Sequence, residues 1–274
     1  MKIKFLNVVL LCCLVVCNAI ACPWPMGRDN GYFGLSYSVS DYNSVYANDR
    51  QIRLSDHKVT NEAWDLYYLM GVNDRDTLVF TTKYSNIGAY DVVPGPKVSQ
   101  ISDSYLGFKR SYRTGKISAA WELGVMIPGD YAANLFTSPG YGETEINLAW
   151  HWAKVLDASS SFSLSARYRK RSNEAPNAAQ LTFEYGRRLS ELYSGRFILH
   201  YDEQFSHINV LDPASGWVDF VFHQKDESQL ITGLGLSRKI NRNTNLNFLI
   251  SRKVDGRNTD AADRNISVGM GIQF

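Results

Sequence analysis

Apolar and polar residues alternate along much of the chain with a period of two, the pattern of an amphipathic β-strand. The C-terminal segment has one face made only of large apolar side chains: Ile266, Val268, Met270, Ile272 and Phe274. Its other face is small or polar. Alternation and turn residues together predict twelve strands: 31–40, 62–73, 76–85, 101–113, 117–127, 143–152, 161–171, 178–188, 194–205, 229–239, 244–254 and 264–274.

The predicted strands are long. Several exceed the roughly five or six residues of an ordinary soluble strand, and about ten residues suffice to cross a bilayer when tilted. Trp, Tyr and Phe lie near the ends of the apolar faces, as in an aromatic girdle. A soluble β-sandwich has the same period, but these two features favour an all-β fold, an antiparallel transmembrane β-barrel of about twelve strands.

The connections alternate in length, as they do in bacterial barrels with an even strand number. Short turns are predicted at 72–76, 112–116, 154–160, 188–195 and 239–244, and the intervening connections are 41–61, 86–100, 128–142, 172–177, 206–228 and 255–263. This order predicts that both termini are periplasmic and that the last strand pairs with 31–40. Trp217–Phe222 would break the parity if it crossed, so we assign it to the 206–228 loop.

The N-terminus has the features of a cleaved signal peptide covering residues 1–21. Lys2 and Lys4 precede an apolar stretch, and Ala19-Ile20-Ala21 supplies the small residues that a signal peptidase reads. Residues 22–274 then form one domain. Cys22 would be the first mature residue, and two alternatives stay open: ordinary cleavage, or lipidation at an approximate lipobox.

Charge and cysteine content exclude several classes of function. Removing Lys2 and Lys4 lowers the number of basic residues from 29 to 27, equal to the 27 acidic ones, and a near-neutral chain gives no reason to expect nucleic acid as a partner. Only Cys22 of the four cysteines remains after residue 21, so an internal disulfide and a cysteine metal cluster are excluded. We expect no metal site and no cofactor.

Charged and polar residues are concentrated on the predicted lumen-facing positions. The pore-lining candidates are Glu122, Glu143, Glu145, His151, Arg167, Arg169, Arg171, Glu184, Arg188, Arg196, His200 and Asp202. Two interpretations stay open: a charged constriction that selects a solute, or a lattice of cross-strand ion pairs that fills a narrow barrel. The last strand has an uncharged inner face, so the middle strands would have to build any constriction.

The densest basic run is Arg167-Tyr168-Arg169-Lys170-Arg171. In a strand its three arginines project to one side, and Tyr168 and Lys170 project to the other. The arginines could bind lipopolysaccharide phosphate or an anionic solute through bidentate hydrogen bonds, or they could only balance the glutamates inside.

Catalysis has no support from residue spacing. Barrel enzymes of the outer membrane carry a His-x-Ser pair on one strand face, and none of the five histidines has Ser two residues later. His200 and Asp202 share a face, but no nearby Ser completes a nucleophile. We therefore expect a protein that is not an enzyme, with no catalytic residues.

Four stretches resemble a known family. Cys22–Phe33, Val125–Asp130 and Ala166–Pro176, together with the terminal Arg252–Phe274, resemble XagA-like outer-membrane proteins, which are related to transporter-like barrels including MetA-pathway phenol-degradation porins. The terminal Phe also resembles the assembly signal of Gram-negative outer-membrane barrels. The resemblance implies a barrel linked to small-solute passage or surface polysaccharide, and it carries no catalytic residues.

Two functions from different classes follow as expectations. The first is a porin-like channel for small solutes in the outer membrane of a Gram-negative bacterium. The second is a non-conducting structural or interaction barrel whose loops contact surface polysaccharide, envelope proteins or host surfaces. For either function, the expected partners are outer-membrane lipid and lipopolysaccharide and the barrel-assembly machinery.

Overall fold

The computed structural model describes residues 23–46, 49–89, 98–131, 142–172, 176–205, 227–257, 259–260 and 264–274. These ranges contain the following strands: β1 (Gly31–Tyr46), β2 (Ile52–Gly71), β3 (Asp76–Ala89), β4 (Val98–Ile101), β5 (Ser104–Thr114), β6 (Ile117–Ile127), β7 (Glu145–Val155), β8 (Ser160–Arg171), β9 (Asn177–Arg188), β10 (Tyr193–Phe205), β11 (Ser228–Lys239), β12 (Thr244–Arg257), β13 (Thr259–Asp260) and β14 (Arg264–Gln273). The predicted signal peptide, Cys22 and Trp217–Phe222 lie outside the described residues. Within those ranges, no helix is long and apolar enough to cross a membrane.

Twelve of these strands close into an antiparallel barrel, as predicted. Each long strand pairs with its neighbours in sequence, and β1 pairs with both β2 and β14 to close the ring. The short strands β4 and β13 only extend the edges of β3 and β1. The predicted seam is confirmed, because Tyr32 faces Gln273 and Asp41 faces Arg264.

The predicted loop 41–61 is wrong. β1 continues to Tyr46 and β2 begins at Ile52, so most of this stretch is paired strand with an irregularity between Tyr42 and Ser44. Apolar alternation fades there, but backbone hydrogen bonding does not require it. Thr60 donates a hydrogen bond to Asp41 at 2.7 Å, so polar side chains also bridge these two strands.

The outer wall of the barrel is apolar. Large side chains point outward and are well exposed on strands all around the ring, including Leu123, Leu148, Trp150, Leu181, Leu234 and Val268. Aromatic rings pair across neighbouring strands, as in Tyr37 with Trp64 and Trp152 with Phe162, whose centroids lie 5.0 Å apart in each case. Such a wall requires an apolar solvent, and the barrel with its aromatic residues has the architecture of an outer-membrane protein.

The seam closes around the terminal residue. Phe274 and Gly31 exchange backbone hydrogen bonds of 2.9 and 3.1 Å, and the Phe274 ring stacks on Tyr68. A Cβ at Gly31 would lie 2.2 Å from that ring, so an alanine there would force the ring to move. Farther along the seam, Ser38 faces Ser267, so the lumen side here is small and uncharged, as predicted.

Candidate functional site

The middle strands β6 to β10 bring most of the predicted lumen residues onto one inner surface. Burial alternates along β7 and most of β8, and the polar set falls on the inward positions of the five strands. This set comprises Glu122, Glu145, His151, Arg167, Arg169, Arg171, Glu184, Arg196, His200 and Asp202. The inward placement of these ten residues is confirmed, and their lining of a pore stays a prediction.

Glu122 is the centre of the inner surface. Its carboxylate accepts hydrogen bonds from the Tyr105 hydroxyl at 2.6 Å and from Arg167 Nη2 at 2.8 Å. The Nε2 atom of His151 lies 3.4 Å from the other carboxylate oxygen. Lys109, fully buried on β5, is directly opposite Glu122 in the β5–β6 register. Four side chains thus surround one carboxylate that is itself only 2% exposed.

The other two arginines of β8 are also bound by acids. Arg169 donates to both oxygens of Asp202, at 2.8 and 2.7 Å, and Gln180 donates to the same carboxylate. Arg171 donates to Glu145 at 2.6 Å and to the Pro176 carbonyl at 2.8 Å. The predicted ion pairs between these strands are therefore present. Binding of lipopolysaccharide phosphate or of an anionic solute by these arginines stays a prediction.

Two predicted lumen residues lie at the rims instead. Glu143 precedes β7, which begins two residues later than expected, and it accepts a hydrogen bond from the Ser172 hydroxyl. Arg188 is the last residue of β9 and donates to the Ala158 carbonyl of a neighbouring turn at 3.0 Å. Glu143 was placed in the lumen because the alternation was extended two residues before β7, whereas Arg188 lies within its predicted strand but at the very end of it.

The segment before β1 crosses the end of the lumen where the short turns lie. Pro23 and Trp24 are buried. They precede β1, which lies on the opposite side of the ring from β8, six strands away in either direction. The Ser118 hydroxyl donates to the Pro23 carbonyl at 3.1 Å, and Trp24 packs against Ala153. The Arg113 guanidinium lies 5.4 Å from the Trp24 ring centroid. The segment therefore narrows this end of the lumen.

Sequence reasoning missed this segment and two residues of the central cluster. Pro23 and Trp24 belong to no alternating stretch, so no period points to them. Tyr105 and Lys109 could have been found, because they share the polar face of a strand whose other face is Leu106, Phe108 and Tyr112. Assigning the polar face of that strand to the lumen would have identified both residues.

A serine, a histidine and an acid meet inside the barrel, although no His-x-Ser spacing predicted this contact. His151 Nδ1 lies 2.6 Å from the Ser165 hydroxyl, and its Nε2 approaches Glu122. Thr182 and His200 make a second such pair at 2.8 Å. Ser165 is 7% exposed and His151 is 1% exposed, so a substrate would reach them only if their neighbours moved. The contacts tie adjacent strands together and give no evidence of catalysis.

Two titratable groups in the connections between strands are perturbed. Burial raises the pKa of Tyr131, and its hydrogen bond to Asp103 adds to the effect. In the β7–β8 turn, hydrogen bonds from Ser160 and Ser159 hold the pKa of Asp157 well below its usual range. Across the described ranges, no three His, Cys, Asp or Glu side chains are placed to hold a metal ion.

Comparison with known families identifies the chain's relatives. The family model described as "Putative MetA-pathway of phenol degradation" matches residues 34–266. The chain belongs to this family. The resemblance to MetA-pathway porins is thereby confirmed, and the narrower XagA likeness stays a prediction. No curated protein matches this MetA-pathway chain.

Solved structures share the fold of this MetA-pathway barrel. The COG4313 outer membrane channel from Pseudomonas putida F1 superposes with a TM-score of 0.76 at 15% identity, covering 92% of this chain and 97% of the channel. The KdgM porin superposes with a TM-score of 0.52 at 9% identity, covering 89% of this chain and 99% of the porin. At these identities the likeness establishes the outer-membrane barrel fold and no more.

Proposed function

We propose that this MetA-pathway barrel is a porin-like channel that carries small solutes across the outer membrane. The observation that supports it best is the closed ring with an apolar outside and a polar, charged inside. A polar lumen inside a lipid-facing wall suits passage of solutes that lipid excludes. The family description refers to phenol degradation, and the fold neighbours include a channel and a porin. Small aromatic compounds are thus the first solutes to test.

The proposed orientation has both termini in the periplasm. Five connections at one end are short, at 72–75, 115–116, 156–159, 189–192 and 240–243. Those at the other end are mostly longer, and short periplasmic turns with longer external loops are the rule in bacterial barrels. This orientation puts Pro23–Met26 at the periplasmic mouth and the Arg171–Glu145 pair toward the external loops.

A second candidate is a non-conducting structural barrel. It is favoured by the three arginines of β8, each of which binds a carboxylate. Buried pairs of this kind fill space and join strands. The buried Pro23–Trp24 segment narrows the lumen further.

Conductance of the purified, refolded barrel in planar bilayers separates the two candidates. A channel gives discrete conductance steps whose size grows with salt concentration. A folded barrel that inserts and never conducts would exclude the channel. Folding is checked independently by the faster migration of an unheated barrel on a denaturing gel. Liposome swelling with small aromatic solutes then tests the solute class.

A further inference from the structure

A groove on the outer wall lies outside the proposed channel. It spans β6 to β10, encloses about 480 Å³, and lies within the range of about 300–1,000 Å³ usual for ligand sites. Its outward lining is almost wholly apolar: Trp121, Leu148, Trp150, Ala166, Tyr168, Ala179, Leu181 and Tyr201, with Glu203 at one corner.

The groove exists because two alanines interrupt rows of large side chains. In one row across the strands, Ala166 lies between Trp150 and Leu181. In the next row, Ala179 is the direct partner of Tyr168. The alanines form a floor, and the exposed side chains of Trp150, Tyr168 and Leu181 form its walls. A groove of this shape fits a flexible hydrocarbon chain lying against the outer surface of the barrel.

The groove becomes polar toward the end with the long connections. Lys170 is exposed on the outer face of β8, two residues beyond Tyr168, or about 7 Å along the strand. On the opposite side, Glu203 accepts a hydrogen bond from Tyr201 at 2.8 Å and is 3.7 Å from Arg257. A cation thus flanks the groove on one side, and the carboxylate on the other side already has a cation beside it.

We propose that this groove binds lipopolysaccharide through its lipid A part, with one acyl chain along Ala166 and Ala179 and a phosphate at Lys170. The apolar slot and the lysine match a molecule that joins saturated chains to an anionic head. The site is on the outer face of the barrel, where lipid is the solvent, so lipid A can reach it without passing through the wall or the lumen. The proposal rests on the orientation given above, which places the Lys170 end in the outer leaflet.

Native mass spectrometry of the detergent-solubilised barrel, titrated with diphosphoryl lipid A, tests the site. The double variant Ala166→Leu with Ala179→Leu fills the floor and is expected to weaken binding roughly tenfold, through the loss of about ten close carbon contacts. Lys170→Ala is expected to weaken it about fivefold, the effect of one basic residue beside a charged lipid. Arg252→Ala, an exposed outward cation on β12 away from the groove, is the matched control and leaves binding unchanged.

A titration with phosphatidylcholine distinguishes a specific lipid A site from non-specific binding of lipid to the apolar wall. Equal retention of phosphatidylcholine and lipid A, or equal loss in the Arg252 and Lys170 variants, would overturn the proposal. Unchanged binding when the alanines are filled would do the same. Each variant is first shown to be folded by its gel migration. Because the readout is bound lipid, a barrel that fails to conduct can still bind lipid A, and the two proposals fail separately.

Discussion

Glu122, on β6, is surrounded by side chains from three other strands at the centre of the lumen. Replacing it with Gln removes the negative charge between Arg167, Lys109 and His151, all of which stay buried. Removing one partner of a buried ion pair costs about 3–5 kcal/mol. We expect Glu122→Gln to lower the free energy of unfolding by that amount in denaturant titrations of the refolded barrel.

Glu203→Gln is the matched control, because Glu203 is one-third exposed and 3.7 Å from its arginine. Its loss is expected to cost less than about 1 kcal/mol. A double-mutant cycle with Arg167→Gln adds a second check, since contacting residues are expected to be non-additive. Equal costs at Glu122 and Glu203, or strict additivity in the cycle, would contradict the central role of Glu122.

Gly31 and Phe274 provide a second prediction at the scale of single residues. Gly31→Ala places a methyl group 2.2 Å from the Phe274 ring, so we expect a lower yield of folded barrel in detergent refolding. Gly186→Ala is the control, because its nearest atom, Ser161 Oγ, is 3.9 Å away. The change Phe274→Ala should make Gly31→Ala harmless. If Gly31→Ala lowers the yield equally with and without the ring, the clash is not the cause.

The segment before β1 is the element whose removal should change function most. Trp24 packs inside the lumen against β7, so Trp24→Ala opens space at the turn end. We expect a larger single-channel conductance in planar bilayers. Trp64→Ala, which removes an outward and exposed ring, is the control and leaves conductance unchanged. Equal conductance in the Trp24 variant and the unmodified barrel would mean that the path bypasses this segment.

At the scale of strands, sequence periodicity was sufficient wherever one face meets lipid and the other does not. The predicted and observed bounds of β6 coincide at 117–127. The same reasoning failed at 41–61, where no regular apolar alternation runs through the sequence and backbone pairing is what reveals the strands. It also had no access to Pro23–Met26, because a segment packed against the inner wall follows no alternation.

For the site, the sequence was sufficient to predict which side chains point into the lumen, but not which of them contact each other. Arg171 and Glu145 are directly opposite on adjacent strands, and their pairing was predictable. Arg167 reaches Glu122 and Arg169 reaches Asp202 across an intervening strand. Those contacts depend on the curvature of the closed barrel and on the length of the arginine side chain, and neither is encoded in a period of two.

At the scale of the whole molecule, the three arginines of β8 are each paired with a carboxylate along the inner wall. Replacing Arg167, Arg169 and Arg171 together with Ser leaves Glu122, Asp202 and Glu145 without those cations. We therefore expect the reversal potential in a KCl gradient to shift toward cation selectivity. The control replaces the outward cations Lys170 and Arg252 with Ser and leaves the potential unchanged. An unchanged potential in the triple variant would place the ion path away from β8.

The small, uncharged inner face at the seam has a consequence for how this barrel can diversify. Ser38 and Ser267 face each other there, far from the ion pairs that join β6 to β10. Substitutions at these serines alter the lining without disturbing the charges that hold the opposite wall. Solute preference can therefore drift over evolution on one side of the molecule while foldability is conserved on the other.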